Sequence, residues 1–184
     1  MSKRHTVIFQ WLSVTMIACL VSGCRPKEDP HQVMQPQEYA DASKAVMVEG
    51  KAKSDVITSR PLPNVAPGAP IEAKRNARAQ LAQSADDLAK IYTETEQKLG
   101  ALRPPPQYLE MHESARSFFH VAAEGNRNWA NAMRSGNRQE ANKATLELNE
   151  MEIQAAQRMI AAQDKLGMDS TPFRELIQQI KSGK

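Results

Sequence analysis

From Glu72 to Leu166 apolar residues recur three and four positions apart, and the run breaks at two places, Pro104-Pro105-Pro106 and Ser135-Gly136-Asn137. That spacing returns side chains to one face of a helix, and it is not the two-residue alternation of a half-buried strand. The first stripe, over about 72–102, is Ala77, Leu81, Ala85, Leu88, Tyr92, Thr95, Leu99 and Leu102. Asp86 with Lys90 and Glu94 with Lys98 stand four apart, acid first, as suits an exposed helix face. The three prolines stop this helix, since proline lacks the amide donor and its ring clashes with the turn before it.

A second helix starts near Pro106, a residue suited to a first helical position. Its stripe is Tyr108, Met111, Ala115, Phe119, Ala122, Trp129 and Met133. Gly136 can take the left-handed cap, Asn137 can cap the next helix, and Glu140 three residues on completes an approximate capping box. So short a connection forces an antiparallel hairpin. The third helix, about 138–166, carries Ala141, Ala144, Leu148, Met151, Ala155, Met159, Ala162 and Leu166, and Gly167 ends it. Asp169-Ser170-Thr171-Pro172 then opens a short helix, with Thr171 as cap, Pro172 in the first position and Phe173, Leu176, Ile177 and Ile180 on its apolar side. The expected fold is all-α: an antiparallel three-helix bundle with a short C-terminal helix, in a domain over 71–184.

The front of the chain is of another kind. Lys3 and Arg4 precede the apolar stretch VIFQWLSVTMIACLV, and small residues Ser22 and Gly23 follow it. A positive start, a short apolar run and a small-residue exit make a secretory signal, here residues 1–23. The run is shorter than the roughly 20 apolar residues of a membrane span. Val21-Ser22-Gly23-Cys24 resembles the lipobox of bacterial lipoproteins, with Val21 where that family most often has Leu. The resemblance covers the first 24 residues and implies that Cys24 receives a diacylglycerol, that the chain is cut before it, and that the new amine is usually acylated, with palmitate among the expected acyl groups. Two or more acyl chains hold a protein stably on a membrane, where one holds it marginally. An Asp after the lipidated cysteine tends to keep such lipoproteins in the inner membrane. Arg25 stands there instead, so the resemblance implies the periplasmic face of the outer membrane, or the outer face of the cytoplasmic membrane if the source has only one.

The same reading accounts for both cysteines. Cys19 leaves with the signal and Cys24 is capped, so no thiol remains for a disulfide, a metal or nucleophilic catalysis. Cleavage also removes Lys3 and Arg4 from the 24 basic residues, leaving 22 against 21 acids. A surplus of one charge is no footprint for nucleic acid. Residues 24–70 read as a tether. Seven prolines fall there, six charges of each sign balance, and PLPNVAPGAP closes the segment as irregular linker. Within it QEYADASKAVMVEGK, residues 37–51, has the makings of a short helix, with Tyr39, Ala42, Ala45 and Val46 on a loose face.

Candidate chemistry is sparse. His112 and His120 are two helical turns apart, about 12 Å, too far for one metal to take both. Glu113, Arg116, His120 and Glu124 run down one side of the second helix and read as a solvated face, with His120 and Glu124 as the pair that a metal would use. On this helix no Glu stands three residues before a His, as di-iron bundles require. Glu147, Glu150 and Glu152 read as solvated charge on the third helix. Trp129 among Asn126, Asn128 and Asn131 reads as core or register, with a ligand groove as the sharper alternative. Lys74, Arg75 and Arg78 oppose the dipole at a helix start and read as surface charge, or as a contact for an anionic surface. No phosphate loop, nucleophile elbow, haem motif or zinc spacing is present, so no enzyme activity, cofactor, metal or catalytic residue is expected. The expectation is a lipoprotein anchored through Cys24, whose bundle is an interaction or structural module of the cell envelope with an envelope protein as partner. The alternative is a periplasmic helical bundle that binds a ligand or metal.

Overall fold

The computed structural model describes residues 33–182; the expected signal and Cys24 lie outside them. Five helices follow in order: α1 (Pro36–Thr58), α2 (Ile71–Gly100), α3 (Leu109–Ser135), α4 (Arg138–Lys165) and α5 (Thr171–Ser182), with a single 3-10 turn at Pro106–Tyr108 leading into α3. No strand occurs among the described residues. Each helix packs on the next in the chain. Side-chain pairs fix the directions. Asp86 meets Arg134 and Glu96 meets His120, so α2 and α3 are antiparallel. Trp129 meets Thr145 and Glu110 meets Lys165, so α3 and α4 are antiparallel as well. α2, α3 and α4 form the expected bundle.

The punctuation works largely as the residues dictate. Pro105 and Pro106 precede α3, and Gly136 ends it at φ 71°, the left-handed conformation that glycine adopts without a Cβ penalty. The Asn137 side chain accepts from the Gln139 and Glu140 amides. Glu140 does not reach back to the Asn137 backbone; its carboxylate takes the Asn137 side-chain amide and the Ser135 hydroxyl instead. At α5, Thr171 is the first helical residue and not the cap. Asp169 caps it, accepting from the Thr171 amide at 2.9 Å.

One core joins all five helices. Tyr92, Phe118 and Phe119 lie at its centre, and Phe173 of α5 sets its ring edge-on to Phe118 at 5.8 Å. The α3–α4 approach is close because Gly125 has no side chain: a Cβ there would come within 2.3 Å of Leu148 Cδ1.

The tether needs correction. Residues 36–58 form a 23-residue helix, eight residues longer than the stretch 37–51, and it packs antiparallel on α2. The helical domain therefore begins at Pro36 and not at residue 71. The side of α1 turned inward is Tyr39, Ser43, Gly50, Ser54 and Ile57, spaced for a helix but mostly small and polar. Such a seam registers as no apolar stripe, which is why composition reads it as linker.

Candidate functional site

Three places bring chemistry-bearing side chains together. The first is in the core. Glu152 is only 5% exposed, and its Oε1 has no hydrogen-bond partner. Burial pushes its carboxyl up to about 8, so at neutral pH it keeps its proton. Asn126, on α3, is 1% exposed; its Nδ2 donates to the Ala122 carbonyl at 2.8 Å and its Oδ1 is unsatisfied. Thr93 bonds Arg127, and Gly125 faces Leu148. That register places Tyr92, Asn126 and Glu152 within about one helical turn of a common level. Tyr92 is buried too, and burial, then the charge on Glu152, raises its phenol. Buried polar atoms without a partner, here Asn126 Oδ1 and Glu152 Oε1, are costly unless a proton or a water completes them.

This corrects the reading of Glu152 as solvated. Glu147 and Glu150 are exposed, but Glu152 lies four residues after Leu148 and three before Ala155, and so belongs to the buried stripe. The signal was in the sequence. Met151, which the stripe used in its place, is only partly buried.

The second place ties α1 to the bundle. His112 is buried, its Nδ1 lies 3.3 Å from Tyr39 Oη, and Tyr39 stacks on Tyr108 with ring centroids 5.5 Å apart. Burial, then the nearby Arg116, lowers the basicity of His112 and so favours its neutral ring, which shares one hydrogen bond with the Tyr39 phenol. His120 differs entirely: it is exposed, 3.3 Å from Glu96. Glu113, Arg116 and Glu124 are also exposed, as a solvated face should be. Among the described residues no group of three His, Cys, Asp or Glu is placed to hold a metal ion.

The third place is a half-open groove of about 310 Å³ between the end of α1, the proline-rich segment after it, and α2. Ile57, Leu62, Leu81, Leu88 and Trp129 give it apolar walls, and Arg60 supplies its one charged wall residue. Trp129 is partly buried, and its indole donates to Thr145 Oγ1 at 3.0 Å, which fixes the ring. The three asparagines near it do not converge: Asn126 points into the core while Asn128 and Asn131 are exposed. Lys74 and Arg75 are exposed at the start of α2, and Arg78 reaches the Gly136 carbonyl at 3.5 Å. This basic cluster lies past the end of α1: Arg60 pairs with Asp87, and Lys74 and Arg75 are about 20 Å further along α2 by helix rise.

Among the described residues no helix is long and apolar enough to cross a membrane. Comparison with protein-family models, curated protein sequences and solved structures found no match.

Proposed function

We propose that this chain is a lipid-anchored envelope lipoprotein whose helical bundle acts as an interaction module. The observation that carries the reading is Val21-Ser22-Gly23-Cys24 at the exit of a short apolar run behind Lys3 and Arg4. Arg25 after that cysteine favours the periplasmic face of the outer membrane. The bundle supports the module half of the reading through what it offers a partner. Cys24 is twelve residues from Pro36, so a docked α1 holds the bundle within about 40 Å of the anchor. The amide of Met34 donates to the Arg103 carbonyl at 2.9 Å, which fixes the near end. Groove, Lys74 and Arg75 are then carried at the end away from the membrane. Radiolabelled palmitate is expected to enter the wild type and not Cys24→Ser, and label in the variant would end the proposal.

The groove favours a second reading, a ligand-binding bundle. Its volume is at the low end for small-molecule sites, and its walls are mostly apolar with few polar groups, as such sites are. Trp129 is the one tryptophan after residue 23, so its emission in the processed protein would report occupancy. A ligand should shift that emission and raise the melting temperature. Apolar ligands that change neither at saturating concentration would remove this reading.

A further inference from the structure

α1 is held to the bundle differently from the other helices. α2, α3 and α4 bury Leu88, Tyr92, Leu99, Met111, Phe118, Phe119 and Met159 against one another. α1 contributes two large anchors, the fully buried Tyr39 near its start and Ile57, 9% exposed, near its end, with Ser43, Gly50 and Ser54 between them. Met34, Val46 and Met47 pack beside them and are only partly buried. Small residues let the two helix backbones approach but remove little apolar area from water, and that area is the main favourable term in docking.

Tyr39 is also held by His112 and Tyr108, and Met34 by the Arg103 carbonyl, all at the start of the arm. Along the rest of the seam three ion pairs join α1 and the residues after it to α2: Glu49 with Lys98, Lys53 with Glu94, and Arg60 with Asp87. Their side chains are between about a third and a half exposed. Pairs of that exposure contribute little, and salt screens them. At Ile57 the interface is not close-packed, since the 310 Å³ groove opens beside that anchor. Beyond it the twelve residues 59–70 carry four prolines and no regular helix, enough chain to let α1 move without pulling on α2.

We infer that α1 is a detachable arm, which leaves α2 as a unit while α2 to α5 stay packed, and so changes the reach between anchor and bundle. Segments with few buried apolar contacts and exposed polar ties open at lower free energy than the core they rest on. The consequence for reach rests on the lipid anchor proposed above. Docked, the arm limits the chain between Cys24 and the bundle to about 40 Å. Released, with α1 still helical at about 35 Å and the flanking chain extended, the span from Cys24 to Ile71 exceeds roughly 100 Å. The segment thus serves as a short strap in one state and a long tether in the other, and release uncovers Ile91 and Thr95 of α2, which α1 covers beside Val46 and Gly50.

Hydrogen–deuterium exchange on the full processed chain in lipid nanodiscs tests this. Amides of residues 36–58 should exchange at least about tenfold faster than those of α3, as local opening requires. Raising salt from about 0.05 to 0.5 M should widen the gap, because screening weakens the three ion pairs. Tyr39→Ala should speed α1 further and leave α3 and α4 unchanged. Equal protection of α1 and α3, with Tyr39→Ala lowering both together, would overturn the inference. Should that variant not fold, the salt series on the wild type decides alone. Failure of palmitate labelling would remove the membrane role and leave the exchange result standing, so the two claims fall separately.

Discussion

Glu152 is a carboxyl shut into the α3–α4 interface, and its energetics follow from that position. Its folded pKa is raised from an ordinary 4.5 to about 8 by burial. The unfolded chain therefore gives up this proton near pH 4.5, while the folded chain keeps it to about 8. The contribution of Glu152 to stability is whole below about pH 4, falls as pH rises through that window, and is gone above 8. A shift of this size corresponds to about 5 kcal/mol. Glu152→Gln keeps the shape and cannot ionise, so it should flatten the pH dependence and make the protein more stable than wild type at pH 8. Urea melts at pH 5 and pH 8 check it, and parallel pH profiles in the two proteins would contradict it. At this scale the sequence was only partly legible. His112 and Asn126 stand out by residue type and position, but Met151, apolar and one residue away, fits the stripe as well as Glu152 does and hides its burial. The Tyr39–His112 contact joins positions 73 apart and was beyond any local pattern.

Helices α2 to α5 were legible because each announces itself twice, by a three-four stripe and by its stops. Pro104-Pro105-Pro106 and Gly136-Asn137 are local chemistry, and the structure uses both. α1 was legible only in part, since Ser43, Gly50 and Ser54 pack by being small and not by being apolar. The same device recurs once inside the bundle, at Gly125. Val in its place should push Leu148 out of its rotamer and spread α3 from α4, at a cost of about 2 kcal/mol. Shortening the opposing side chain with Leu148→Ala should return part of that loss in the double variant, because the two positions share one space. Denaturant midpoints of the two single variants and the pair measure the coupling. Strictly additive losses would mean that Gly125 is not there for the approach of the helices. Trp129 shows the limit of pattern at this scale: its place on the α3 stripe was readable, but the groove beside it is built by the 59–70 segment, whose path depends on where α1 docks.

At the scale of the molecule, the described residues form five helices packed in chain order. Met34 meets Arg103 at the end nearest in sequence to Cys24, and the groove and the exposed cations Lys74 and Arg75 lie toward the other end. Every statement about distance from a membrane depends on Cys24. If that sulfur carries lipid, the docked α1 is a spacer of defined length and its release a change in reach. If it does not, the bundle keeps its shape and loses its orientation. Mass spectrometry of the N-terminal peptide from the purified membrane fraction is the most direct measurement. The account predicts a chain that begins at Cys24, heavier than its sequence by a diacylglycerol and an amide-linked acyl group. A peptide that begins at Met1 with an unmodified thiol at Cys24 would contradict it.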